Sequence, residues 1–187
     1  CRYLSLEFII SISILCIISI AFSKFLSLHV EVRDQFLGVF PDPLFILPPI
    51  DFSIEIFIIM YGGTLFFIIY HLKKPAQIIT LMQSVSLLLI IRAISLFIFR
   101  FDAPEEMINL KDPIMETFIY TKNLTTKQFN QHDLFFSGHT ANLFLMTMIF
   151  KNKKLKILFI LLTIMMGTFL VLQQAHYSID VICAPIF

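Results

Sequence analysis

The chain has 187 residues, of which 58% are hydrophobic and only 14% charged, with 22 phenylalanines, no tryptophan and a mean hydropathy of +0.87. That much apolar surface cannot be hidden inside a soluble domain of this size, so the composition excludes a soluble globular fold and points to an integral membrane protein. A net charge of +1 excludes the broad basic face that a nucleic-acid partner demands.

The first apolar run, residues 6–28, is about as long as the roughly 20 helical residues that a bilayer core requires. It lacks a small-residue cleavage pattern and is read as a helix that stays, not as a signal peptide. Residues 30–50 contain Phe40-Pro41-Asp42-Pro43 and Leu47-Pro48-Pro49-Ile50-Asp51, where prolines without N–H groups forbid a continuous helix. Asp51-Phe52-Ser53 then offers an N-cap for a second span, residues 51–70. Gly62-Gly63 inside it allows a close helix approach or a bend.

His71-Leu72-Lys73-Lys74-Pro75 is a short basic turn before a third span, residues 78–99. Its Gln83, Ser84, Ser86, Arg92 and Ser95 are expected to face other helices. A long polar connection from Arg100 to Asp133 follows; it holds most of the acidic residues and the sequon Asn123-Leu124-Thr125, and is expected to contain short helices or to fold over a site. The fourth span is residues 134–150 and the fifth 155–172, separated by the basic turn Lys151-Asn152-Lys153-Lys154-Leu155-Lys156. A sixth begins at 176. The chain starts at Cys1 without a methionine and stops at Pro185-Ile186-Phe187, so both ends read as truncated and the sixth span, 176–187, as incomplete. The expected fold is therefore all-α: one integral membrane domain over residues 1–187, a polytopic bundle of six transmembrane helices. Cys1, Cys16 and Cys183 show no metal or redox spacing and read as packing residues.

The two shortest turns carry Lys73, Lys74, Lys151, Lys153, Lys154 and Lys156 and no acid, which places them in the cytoplasm by the positive-inside rule. An even number of spans separates them, so the two agree, and the amino terminus is also inside. Two polar clusters then fall together on the non-cytoplasmic face: Ser137-Gly138-His139-Thr140 and His176-Tyr177-Ser178-Ile179-Asp180. The membrane is expected to be a bacterial inner membrane or a eukaryotic secretory one.

Phosphoryl transfer through a covalent intermediate needs a nucleophile, a group that orients it, a proton donor for the leaving oxygen and donors for the non-bridging oxygens. His176 is the nucleophile candidate, because Asp180 four residues on shares its helix face and can accept one ring N–H, leaving the other nitrogen to attack. His139 would protonate the leaving oxygen and later act as base. Ser137, Gly138 and Thr140 sit where a helix N-terminus offers unpaired donors to phosphate. Arg92, a guanidinium within a span, either clamps a lipid phosphate bidentately, snorkels, or pairs with Asp180 or another acid. Asp133 either orients His139 or caps the fourth helix. Taken singly, His139 or His176 is more simply an interfacial polar residue closing a structural hydrogen bond. Both on one face, beside an acid, carry the catalytic reading.

These residues also resemble a known family. Ser137-Gly138-His139-Thr140 and His176-Tyr177-Ser178-Ile179-Asp180-Val181 are similar to the two signature motifs of the sphingomyelin synthase family, a branch of the lipid phosphate phosphatase (type 2 phosphatidic acid phosphatase) superfamily. Leu47-Pro48-Pro49-Ile50-Asp51 and Arg92-Ala93-Ile94-Ser95 resemble its proline-rich and arginine-containing motifs, in the same order. The resemblance implies six membrane helices, a catalytic triad on His139, His176 and Asp180, and no metal or other cofactor. It further implies transfer of a phospho-headgroup from a membrane phospholipid donor to ceramide or diacylglycerol. Two departures stand out: Gln131-His132-Asp133 replaces the family's Cys-Gly-Asp, and Leu170 stands where soluble-type phosphatases of the superfamily carry an arginine. Alternatives are a phosphatase or phospholipase C-type hydrolase on the same scaffold, a metal site made of His139, His176 and Asp180, and a proton-coupled transporter, which would be expected to show inverted repeats and a midplane site.

Overall fold

The structure is a computed structural model that describes residues 2–30, 38–99, 101–112 and 133–187. The Asn123 sequon, His132 and most of the long polar connection lie outside the described residues. Six α-helices occur among those described: α1 (Arg2–Phe25), α2 (Ser53–His71), α3 (Pro75–Ile98), α4 (Gly138–Ile149), α5 (Lys153–Leu172) and α6 (Ser178–Cys183). A π-helical turn, Leu26–Val30, extends α1, and a 3-10 turn, Pro43–Ile46, interrupts the proline-rich segment. The protein is an all-helical membrane bundle.

The helix ends follow from local chemistry. Asp51 accepts hydrogen bonds from the Ser53 N–H (3.0 Å) and hydroxyl (2.7 Å) at the start of α2. Pro75 stands in the first turn of α3, where a missing N–H costs nothing. Asn152 caps α5 by accepting from the Lys154 N–H at 2.9 Å.

Among the described residues, four helices are long and apolar enough to cross a membrane: Tyr3–Val30, Ser53–His71, Pro75–Ile98 and Lys153–Leu172. The expectation of a fourth span at 134–150 needs correction: α4 begins only at Gly138 and has 12 residues. At 1.5 Å per residue it rises about 18 Å, short of the roughly 30 Å hydrocarbon core. Leu134, Phe135 and Phe136 are buried in a non-helical turn. An apolar run was expected to be helix, but it fills space between helices. Nor does α6, six residues long, reach span length among the described residues.

The core lies between α2, α4 and α5, where Ile56, Phe67, Leu143, Met146, Phe150, Phe159, Met166 and Leu170 pack together. In lipid such packing rests on van der Waals fit and not on expulsion of water, which favours small residues at crossings. Gly63 is one: a Cβ there would lie 3.2 Å from Leu143 Cδ2, whereas Gly62 has nothing within 4 Å. Helix α1 stands outside this core against α3, joined by the Gln83–Ser11 hydrogen bond (3.2 Å) and by Leu26 and Val30 against Leu96. Cys16 on α1 is free and exposed, not packed inside the bundle as expected.

The two ends of the bundle differ. At one, His71 and Phe150 bring their rings to 5.2 Å, which gathers Lys73, Lys74 and the Lys151–Lys156 turn at a common level. At the other, Gln173 ties three segments together. It accepts from the Phe52 N–H (3.0 Å), donates to the Ser53 hydroxyl (3.0 Å) and the Ile108 carbonyl (3.2 Å), and its own carbonyl accepts from the Ile108 N–H. Both histidine clusters lie at that second end.

Candidate active site

His176 is delivered by the way α5 stops. Gln174 takes a left-handed conformation (φ 55°), and the Gln174 and Ala175 N–H groups donate back to the Val171 and Leu170 carbonyls at 2.9 and 3.0 Å. This is the Schellman closure, usually made with glycine; here the Gln174 amide donates to the Leu47 carbonyl (3.2 Å) and holds the strained residue in place. The chain then turns directly into α6, whose Asp180 accepts from the Tyr177 N–H at 3.0 Å. Tyr177 is fully buried; its hydroxyl donates to the Asp102 carbonyl (2.7 Å) and accepts from the Phe40 N–H (3.3 Å). Asp42 in turn receives the Ser178 N–H and hydroxyl. The segments before α2 and after α3 thus fix the start of α6.

His176 Nδ1 lies 3.1 Å from the Leu134 carbonyl oxygen and 3.5 Å from Asp180 Oδ2. Both are acceptors, so the Nδ1 position holds the proton and Nε2 carries the lone pair. Asp180 does lie beside His176, but not on a shared helix face, since His176 precedes the first residue of α6, and the shorter contact is made by a backbone carbonyl from the turn before α4. Nothing in the side-chain pattern announced it.

The same turn is gripped by Arg92. Its Nε donates to the Phe136 carbonyl at 3.0 Å, and Nη2 lies 2.8 Å from Asp133 Oδ1. The guanidinium also lies 5.7 Å from the Phe22 ring centre of α1. Of the roles open to Arg92, the structure displays pairing with an acid, and that acid is Asp133. Asp133 accordingly faces Arg92, and His139 Nδ1 is buried with no hydrogen-bond partner among the described residues. Gly138 has a specific reason to be glycine, since a Cβ there would lie 2.4 Å from Arg92 Nη1 and 2.8 Å from Cζ.

Ser137 caps α4: its hydroxyl accepts from the Thr140 hydroxyl (3.0 Å) and N–H (3.4 Å), and its own N–H donates to the Asp180 carbonyl (3.1 Å). Ser137 and Thr140 therefore spend these groups on each other and on α6, which leaves the Gly138 and His139 N–H groups as the helix-end donors without a bond among the described residues. The Ser137–Asp180 bond ties the N-terminus of α4 to that of α6. His139 has its ring edge-on to Phe57 of α2 at 5.8 Å. On the third side, Gly167 of α5 lets Val181 approach so closely that a Cβ would lie 2.4 Å from Val181 Cγ1.

The result is two imidazoles, a buried carboxylate and a guanidinium at one end of the bundle, around a helix N-terminus. Such a set can hold an anion, present a basic ring nitrogen and relay a proton. Among the described residues no three His, Cys, Asp or Glu side chains are placed to hold a metal ion. The elements that matter most and were not foreseen are the Leu134 and Phe136 carbonyls, Gly167, Gln173 and Tyr177.

No curated protein and no solved structure matches the chain significantly. Residues 132–187 match a family model described as PAP2 superfamily C-terminal. His139, His176 and Asp180 all lie inside the matched segment, which spans less than a third of the chain.

Proposed function

We propose that the protein is a membrane lipid phosphotransferase that moves a phospho-headgroup from a phospholipid to ceramide or diacylglycerol through a phosphohistidine at His176. The observation that carries this reading is the position of His176 Nδ1 between the Leu134 carbonyl and Asp180, which fixes the ring and leaves Nε2 as the nucleophile. In the first step Nε2 bonds to phosphorus as the bond to the lipid oxygen breaks, and His139 gives that oxygen its proton. In the second, His139 takes the proton of the acceptor hydroxyl, the new P–O bond forms and the P–N bond to His176 breaks. Asp180 stabilises the cationic His176 ring in between. The Gly138 and His139 N–H groups donate to the non-bridging oxygens, at a helix end that Ser137 and Thr140 cap. Arg92 contributes positive charge and holds the loop. The motifs resembling sphingomyelin synthases support transfer over hydrolysis. We place the site on the non-cytoplasmic face and the amino terminus in the cytoplasm, because the lysine turns gather at the opposite end of the bundle.

A second reading, hydrolysis on the same scaffold, is favoured by the superfamily match itself. The two differ only in what attacks the phosphohistidine. Purified protein incubated with headgroup-labelled phospholipid separates them. Labelled lipid product that forms only with ceramide or diacylglycerol supports transfer; water-soluble label released with or without acceptor identifies a hydrolase.

A further inference from the structure

Asn142 has no part in the chemistry above, yet its side chain is anomalous. It sits on α4 one turn beyond His139, facing α2 as His139 does: His139 meets Phe57, and the Asn142 amide N–H reaches Met60 Sδ at 3.8 Å. Phe57 and Met60 are themselves one turn apart on α2. The Asn142 Oδ1 is buried and has no hydrogen-bond partner among the described residues, and the same is true of His139 Nδ1. An amide within an apolar helix is costly, and a leucine would fill the position without an orphaned oxygen. Residues i and i+3 on a helix have Cβ atoms about 5–6 Å apart, which lets an amide oxygen reach a ring nitrogen.

From these two unpartnered buried atoms, one acceptor and one ring nitrogen on the same helix face, we infer that Asn142 is the positioning residue of His139. Its Oδ1 accepts the Nδ1 proton when substrate seats the ring, leaving Nε2 to exchange protons with the substrate oxygen. Catalytic hydrogen bonds commonly close only in the substrate complex. Asn142 thereby does for His139 what Leu134 and Asp180 do for His176.

This inference rests on the proposed role of His139, and the test separates the two. Turnover of labelled phospholipid is measured for Asn142→Leu, Asn142→Asp, His139→Ala and the Asn142→Leu/His139→Ala double variant. Asn142→Leu is expected to lower kcat by about 10- to 100-fold, the usual cost of losing an outer partner of an active-site histidine, with KM within about twofold. Asn142→Asp keeps an acceptor oxygen and is expected to retain most of the turnover, and Asn142→Leu should add no further loss once His139 is Ala. Full turnover in Asn142→Leu, or equal losses in the Leu and Asp variants, overturns the positioning role. Full turnover in His139→Ala instead overturns the function proposed for His139 itself.

Discussion

Gly138→Ala is a one-carbon change whose cost can be worked out from the site. The new Cβ would stand 2.4 Å from Arg92 Nη1 and 2.8 Å from Cζ, so the guanidinium must retreat by about 1 Å to regain ordinary van der Waals separation. An exposed arginine would swing aside at little cost. Arg92 is only 8% exposed and is held by Asp133 at 2.8 Å and the Phe136 carbonyl at 3.0 Å, and a 1 Å retreat stretches both beyond useful length. Losing the charged hydrogen bond to the Phe136 carbonyl costs about 1.5–3 kcal/mol and stretching the Asp133 ion pair adds to it, while alanine gains up to about 1 kcal/mol in helix propensity. The expected net destabilisation is about 1–3 kcal/mol. The assay is unfolding in detergent on a double-mutant cycle with Arg92→Ala. The penalty of Gly138→Ala should fall below about 0.5 kcal/mol once the guanidinium is gone. An equal penalty in both backgrounds would refute the claim that Gly138 exists to seat Arg92.

His176→Ala should abolish turnover, by at least about 1,000-fold, while Asp180→Asn should retain more, because the Leu134 carbonyl still holds Nδ1; steady-state kinetics in mixed micelles decides, and equal losses would make Asp180 more than an orienting group. Gly167→Ala should push Val181 and α6 outward, lowering both the unfolding temperature and turnover, with both recovered by Val181→Ala; absence of rescue would show that the 2.4 Å approach is not the cause. In a cysteine-free background, an impermeant thiol reagent added from the cytoplasmic side should label Asn152→Cys and spare Glu105→Cys, and the reverse pattern would invert the topology.

Much of the helix content was legible because the lysine turns stop the apolar runs, although α3 starts at Pro75 and α5 at Lys153, inside the turns expected to precede them. The proximity of His176 to Asp180 was legible from their closeness in sequence, but the expected shared helix face was not the cause: His176 precedes α6, and the turn at residues 174–177 brings its ring to Asp180. The start of α4 was not. Leu134, Phe135 and Phe136 are as apolar as any helix interior, and hydropathy does not distinguish a side chain that enters the core from a turn from one that does so from a helix. The signal that did exist was Ser137, an N-cap type residue whose place fixes Gly138 as the first helical position. What that turn does could not be read from residue types at all. The Leu134 and Phe136 carbonyls, which hold His176 and Arg92, belong to the backbone, and every residue has one. Asp133 as the partner of Arg92 needed the turn to fold across α3, a contact 41 residues apart in sequence. Gly167 and Tyr177 likewise act through packing between distant segments.

The central claim is that phosphorus passes through His176, so that each turnover contains two in-line displacements. The stereochemical course at a chiral thiophosphoryl lipid measures this directly: two displacements give a product with retained configuration at phosphorus, whereas inversion would mean a single direct transfer from donor to acceptor and no phosphohistidine.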